Sequence, residues 1–313
     1  MEALQGRHIL GMDDLSRQDI SKILALAKKF KTCASTSKNL PPLLTGKTIV
    51  NLFFEPSTRT RSSFEIAAKR LGATSINITG AGSSTVKGET LIDTARNIEA
   101  MNPDAIIIRH SSSGAPYVLS QTLKTPIINA GDGFHEHPTQ ALLDLFTIEE
   151  AKGKIAGLKV LIVGDIAHSR VARSNIYGLK KMGAHIIVCG PPTLIPPAMT
   201  KLGVEVSYDL KSSVQKADVI MMLRIQEERQ DRIQFPSKKE YVQYFGLNSE
   251  TLKLAKKDVI IMHPGPLNRG IEISPDVADG PYSVILNQVT NGVVVRMALL
   301  SLLLGREQHA AAH

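Results

Sequence analysis

The stretch Ile49-Val50-Asn51-Leu52-Phe53-Phe54-Glu55-Pro56-Ser57-Thr58-Arg59-Thr60-Arg61-Ser62-Ser63-Phe64 decides how this sequence is read. Its first part is a strand that runs directly into a helix: Phe64, Ala67, Ala68 and Leu71 mark one helical face, and Gly72 suits a C-cap. Ser57, Thr58, Arg59, Thr60 and Arg61 therefore sit on the first helical turn, where free N–H groups and the helix dipole already attract an anion. Hydroxyl donors and a guanidinium added to that turn make a site for a phosphate dianion. Ser and Thr are also ordinary N-caps and arginine is commonly solvated, but the whole cluster after a buried strand points to a ligand. The Walker pattern G-x-x-x-x-G-K-[ST] is absent, which removes most support for nucleotide hydrolysis.

Outward from this stretch, from Lys47 to about Leu304, short β-branched runs alternate with longer stretches of helical period. That alternation predicts an α/β protein with parallel sheets. Candidate strands are Thr48–Phe53, Ser75–Ile78, Ala105–Ile108 and Pro126–Asn129, then Lys159–Val163, His185–Val188, Val204–Val206, Val219–Met222, Val259–Met262 and Val284–Leu286. They fall into two groups, so the expectation is two domains, each a parallel β-sheet flanked by helices and joined by two interdomain helices. Residues 1–137 form the first domain, 138–152 a linking helix on which Leu142, Leu145, Phe146 and Glu149 recur at helical spacing, and 153–290 the second domain. The stretch Gly292–Leu304 is apolar nearly all round, which predicts a buried helix, with 291–305 packing back on the first domain. The tail Gln308–His313 has no core pattern and is expected to fray.

The 313 residues suffice for two domains, and 43% apolar with 21% charged residues is a globular composition. No apolar h-region follows Met1 and no apolar run approaches a membrane span, so a cytoplasmic protein is expected. Cys33 and Cys189 lie far apart without metal-ligand spacing and read as reduced thiols. A formal charge of +8 suits acidic small molecules or nucleic acid. Scattered basic residues, 4% aromatics and the absence of a recognition motif argue against nucleic acid.

Further candidates lie where other strands end. Arg109-His110 follows Ala105–Ile108, and in an open α/β sheet that end faces the ligand crevice, as Ser57–Thr60 do. In His135-Glu136-His137-Pro138-Thr139-Gln140, Pro138 suits the first helical position, and His137 and Gln140 lie one turn apart, able to donate to a carbonyl oxygen and to hold an amide. His135 and His137 lack a third partner for a metal. Later, Leu158–Asp165 resembles the opening of a dinucleotide fold, but only Gly164 of G-x-G-x-x-G is present. His168-Ser169-Arg170 occupies that loop, and Arg224-Ile225-Gln226 follows Val219–Met222; arginines there suit a substrate with carboxylates.

With these residues assembled, the chain resembles the aspartate/ornithine carbamoyltransferase superfamily from about His8 to Gly305. The family's S-T-R-T-R stands as Ser57–Arg61, its H-P-T-Q as His137–Gln140 and its H-P-[LG]-P as His263-Pro264-Gly265-Pro266. Val86-Lys87-Gly88-Glu89-Thr90-Leu91-Ile92-Asp93-Thr94 resembles the aspartate branch, and the ornithine motif D-x-x-x-S-M-G is missing. Val171 departs from the threonine of many relatives. The resemblance implies carbamoyl phosphate as donor, L-aspartate as acceptor, a step in de novo pyrimidine (UMP) synthesis, and neither cofactor nor metal. It implies that Ser57, Thr58, Arg59 and Thr60 bind the phosphate and that Thr60, Arg109 and His137 meet the carbonyl oxygen. Gln140 with the backbone at Gly265 and Pro266 would hold the carbamoyl amide, and Lys87, Arg170, Arg224 and Gln226 the aspartate. It further implies a homotrimer in which Ser83 and Lys87 reach the neighbour's site, with room for a separate regulatory chain or partner enzyme. Three alternatives stay open: a sister carbamoyltransferase with another amine acceptor, a nicotinamide-dependent dehydrogenase, and a non-catalytic binder.

Overall fold

Strands that are apolar at nearly every position, rather than at alternate ones, are those of parallel sheets covered on both faces by helices. In the computed structural model, which describes residues 4–35, 42–80, 88–225 and 237–305, such strands form the centre of two sheets. The first comprises β1 (Thr48–Phe53), β2 (Thr74–Thr79), β3 (Ala105–His110) and β4 (Ile127–Asp132) in the order β2-β1-β3-β4, all parallel. β3 and β4 are buried almost throughout, whereas β2, at the edge, is largely exposed. The helices beside it are α1 (Arg17–Ser35), α2 (Thr58–Arg70), α3 (Leu91–Glu99) and α4 (Ala115–Ser120). Near the N-terminus, Ile9 adds a parallel bridge to Ile128 and so extends this sheet beyond β4.

The chain continues through α5 (Pro138–Lys152) into the second sheet. Its strands are β5 (Lys159–Val163), β6 (His185–Cys189), β7 (Glu205–Ser207), β8 (Val219–Met222) and β9 (Ile260–Met262), parallel in the order β7-β6-β5-β8-β9. The helices here are α6 (Arg170–Lys181), α7 (Leu210–Lys216), α8 (Lys238–Phe245), α9 (Ser249–Leu252) and α10 (Pro275–Ala278), before α11 (Ile285–Leu304). Two compact units result, Met1–Leu142 with Asn291–His313, and Leu143–Thr290. The first division falls inside α5 and the second inside α11. Each unit has its own core: Leu52, Ile98, Ile106, Ile108 and Leu119 in the first, Leu161, Val163, Ile220, Met222 and Ile261 in the second.

Two local expectations need correction. Val284–Leu286, expected as a strand, makes a single bridge from Ser283 to Ile261 and then turns into α11. The reason is periodicity: Ile285, Gln288 and Asn291 are buried while Leu286 and Val289 are exposed, so burial follows helical spacing from Ile285 onward, with polar as well as apolar residues on the inner face. β3 also runs to His110, so Arg109 lies within the strand, paired with Phe53, rather than after it.

α11 has the length and apolar content of a membrane span. Its residues Val295, Met297, Ala298, Leu299 and Leu300 are nevertheless wholly buried within the protein. Its one arginine, Arg296, is held there through its two terminal nitrogens: it lies 4.9 Å from the Phe64 ring centroid of α2 and donates to the Gly292 carbonyl and to Thr139 Oγ1 of α5. Ser83, Lys87, Gln226 and the tail Gln308–His313 lie outside the described residues.

Candidate active site

In the first sheet the strand order reverses between β1 and β3, since β2 lies on one side and β4 on the other. Ligand crevices of open α/β sheets form at such a reversal, outside the carboxyl ends of the strands. Ser57–Arg61 follow the end of one flanking strand, β1, and Arg109 is the next-to-last residue of the other, β3. Ser57 is the N-cap of α2, with extended backbone at φ −161 and ψ 95, yet its side chain makes no capping hydrogen bond. The turn begins with the Arg61 N–H donating to the Ser57 carbonyl at 3.2 Å, so the amides of Thr58, Arg59 and Thr60 are the helix's orphan donors. Arg59 is exposed and Thr60 buried, which gives this turn one solvent-accessible guanidinium and one buried hydroxyl.

Arg109 is almost fully buried, and its guanidinium is clamped. Nη1 donates to the Ala130 carbonyl at 3.1 Å and Nη2 to Glu55 Oε1 at 2.9 Å. Beside it, burial holds the His110 imidazole below its ordinary pKa although Glu55 and Asp132 pull the other way. The dependable cation of this strand end is therefore Arg109. The next strand, β4, leads to His137 and Gln140, both buried at the start of α5, where the Gln140 N–H donates to the His137 carbonyl at 3.0 Å. Asp132 organises that loop: it accepts from Gly114, Asn129 and Glu136 and lies 3.1 Å from His135 Nδ1. His135 thus serves the loop's shape.

The second sheet repeats the logic, reversing between β5 and β8. After β5, Gly164 takes φ +129, and a Cβ there would meet the Leu223 carbonyl at 2.9 Å, so only glycine lets the two strand ends approach. Fully buried Asp165 then accepts from the His168 backbone N–H at 3.1 Å, with His168 Nδ1 at 2.8 Å. Ser169 caps α6 by accepting from the Ala172 N–H at 3.1 Å, which leaves Arg170 as the first helical residue, 4% exposed. Arg224 follows β8, partly exposed. After β9 come His263, Pro264, Gly265 and Pro266, with Gly265 at φ +64 and a cis Gly265–Pro266 peptide.

Each unit therefore gathers its own expected residues at one sheet edge: Ser57–Thr60, Arg109, His137 and Gln140 in the first; Arg170, Arg224, Gly265 and Pro266 in the second. Sequence reading overlooked Glu55, which holds Arg109; a carboxylate directly before an anion grip was the available signal. It also overlooked Glu272 and Asp165, whose partners only folding brings together. Cys189 carries no nucleophile: burial pushes its thiol up to about 11.

Two parallel-sheet units, each with arginines at the strand ends that flank its reversal, have the architecture of a two-substrate α/β enzyme. Residues 7–150 match the carbamoyl-P binding domain, and residues 156–303 the Asp/Orn binding domain, of the aspartate/ornithine carbamoyltransferases, and the chain belongs to that family. It is 60% identical over 299 residues to the aspartate carbamoyltransferase catalytic subunit of Syntrophus aciditrophicus, covering 96% of this chain and 97% of that one. The corresponding subunit of Syntrophotalea carbinolica is 56% identical over 306 residues, 98% of each chain. Among solved structures, aspartate transcarbamoylase from Trypanosoma cruzi in complex with carbamoyl phosphate and aspartate superposes with a TM-score of 0.88 at 32% identity, covering 96% of this chain and 98% of that one. Ornithine carbamoyltransferase from Pyrococcus furiosus gives 0.87 at 33%, covering 97% and 99%. The fold thus serves both branches, and the high-identity relatives put this chain with the aspartate carbamoyltransferase catalytic subunits, which are transferases.

Proposed function

We propose that the chain transfers the carbamoyl group of carbamoyl phosphate to the amine of L-aspartate, releasing N-carbamoyl-L-aspartate and phosphate, in the cytoplasm and early in pyrimidine synthesis. The observation that carries this reading is the company kept by the α2 N-terminus. An uncapped Ser57 and the orphan amides of α2 stand at the same strand reversal as the clamped Arg109, with His137 and Gln140 following the adjacent strand. A phosphate grip alone would suit any phosphorylated ligand. Donors to a carbonyl oxygen beside it make the phosphate a leaving group.

In this reading Ser57, Thr58, Arg59 and Thr60 hold the phosphate, while Thr60, Arg109 and His137 donate to the carbonyl oxygen. Gln140 and the backbone of Gly265 and Pro266 hold the carbamoyl amide, and Lys87, Arg170, Arg224 and Gln226 hold the carboxylates of aspartate. The aspartate nitrogen forms the new C–N bond and gives up one proton; the C–O bond to phosphate breaks and its electron pair leaves with the phosphate oxygen. The protein's contribution is positioning and stabilisation of the developing oxyanion, without a covalent intermediate. The protein acts as a homotrimer in which Ser83 and Lys87 complete a neighbour's site.

The test is a carbamoyl-aspartate assay on purified protein, with L-ornithine as the competing acceptor. Turnover with aspartate is expected, and turnover with ornithine alone would overturn the acceptor assignment. Arg59→Ala and Arg109→Ala should each lower kcat/KM by about 100- to 1,000-fold, the loss typical of one oxyanion donor. A variant within a few-fold of the parent would remove that arginine from the mechanism.

A further inference from the structure

The second unit buries a carboxylate that the chemistry above does not use. Glu272 is fully buried, 0% exposed, beside the segment that leaves β9, and its Oε2 has no hydrogen-bond partner among the described residues. Burying such a group is costly, and an apolar residue of similar volume would commonly serve stability as well. What it holds is a short polar chain. The Gly265 N–H donates to His263 Nδ1 at 2.8 Å, so that nitrogen carries a lone pair and the ring proton sits on Nε2. Nε2 then donates to Glu272 Oε1 at 3.1 Å, and the same oxygen accepts the Asn268 N–H at 2.6 Å. From the other side, the His263 N–H donates to Gln288 Oε1 at 2.9 Å. Gln288 donates in turn to Asp144 at 2.8 Å, which also accepts from Asn175 at 2.8 Å.

This chain decides what the loop can offer a ligand. Pro264 and Pro266 have no N–H, and the one N–H between them, on Gly265, is spent on His263. Pro264, Gly265 and Pro266 are nevertheless accessible to solvent. They present carbonyl oxygens and no available backbone donor. Such a surface favours a ligand group that donates, as an amide NH2 does, and offers nothing to a methyl group.

We propose that Glu272 and His263 are positioning residues that make the Gly265–Pro266 loop an acceptor-only surface and thereby select a carbamoyl donor over an acetyl one. This rests on the reading above, in which that loop holds the carbamoyl amide. Fixing the imidazole as its Nε2–H tautomer removes the Gly265 N–H from the ligand's reach; without Glu272 the ring can turn and the amide is released. A site built to hydrogen-bond a substrate NH discriminates strongly against an analogue lacking it.

The experiment measures dissociation constants of carbamoyl phosphate, acetyl phosphate and inorganic phosphate on the full-length chain. The parent should prefer carbamoyl over acetyl phosphate, and Glu272→Ala should reduce that preference about tenfold while leaving inorganic phosphate affinity unchanged. Glu272→Gln, which keeps an acceptor oxygen, should restore most of the preference. His263→Phe, which keeps the ring and removes both nitrogens, should behave as Glu272→Ala and substitutes for it if that variant does not fold. Gly265→Ala, strained at φ +64, reports on the loop itself. If Gly265→Ala loses the preference while Glu272→Ala and His263→Phe keep it, the positioning role is wrong and the loop reading stands. If all three keep it, the loop reading fails and the proposal with it. Equal loss of inorganic phosphate affinity in Glu272→Ala would mark general damage and count against the proposal.

Discussion

Asp132 shows how one buried carboxylate prepares the first unit's site without touching a ligand. Burial alone would raise its pKa, but hydrogen bonds from His135, Gly114, Asn129 and Glu136 outweigh that and hold it below the ordinary aspartate value. A carboxyl whose folded pKa is depressed contributes stability above its unfolded pKa, and that contribution is lost as pH falls through the folded one. Asp132→Asn should therefore cost about 2 kcal/mol at neutral pH, the scale of hydrogen bonds to a charged group. The gap between parent and variant in denaturant unfolding should close as pH falls below about 4, the ordinary aspartate range. A gap constant down to acid pH would show that the charge plays no part. Legibility at this scale divides by locality. Ser57–Arg61 and His137–Gln140 could be read because their chemistry lies within one helical turn of sequence. Asp132 and Glu272 could not, since their partners are backbone amides and rings whose approach depends on where strands end.

Helix N-termini separate a structural cap from a binding turn. Ser169 on α6 and Asp209 on α7 both accept backbone N–H bonds, Asp209 from Lys211 and Ser212 at 3.0 and 3.3 Å, whereas Ser57 on α2 accepts none. Truncating a working cap costs about 1 kcal/mol. Asp209→Ala should accordingly lower unfolding free energy by about that amount and leave the carbamoyl phosphate KM alone. Ser57→Ala should do the reverse, raising that KM with stability unchanged to within about 0.5 kcal/mol. If Ser57→Ala destabilises like Asp209→Ala, its hydroxyl is a cap and not a ligand group. Sequence pattern could not separate the two serines, both N-caps after a strand; the difference lies in where each hydroxyl points. The Val284–Leu286 misreading has a related cause: three β-branched or apolar residues fit either period, and the buried face from Ile285 to Asn291 decides it only once α11 is seen whole.

At the scale of the molecule, both sheets reverse their strand order at the pairs of strands that carry the expected residues, β1 with β3 and β5 with β8. Which residues follow which strand was legible, because that is local; the strand order that sets those strands side by side was not. Assembly is a different matter, since no pattern within one chain encodes which surface meets a second copy. The proposed homotrimer with shared sites therefore makes the sharpest whole-molecule prediction. If Arg59 belongs to one chain's site and Lys87 reaches in from the next, Arg59→Ala and Lys87→Ala are inactive separately for complementary reasons. In any mixed ring of three, one chain with Arg59 intact is followed by one with Lys87 intact, so about one site in three is rebuilt. Inactive parents, dissociated and reassociated together, should then recover roughly a quarter of parental activity, because about three-quarters of randomly assembled rings are mixed. Mixed trimers isolated by distinguishable tags and found without activity would place both residues in one chain's site.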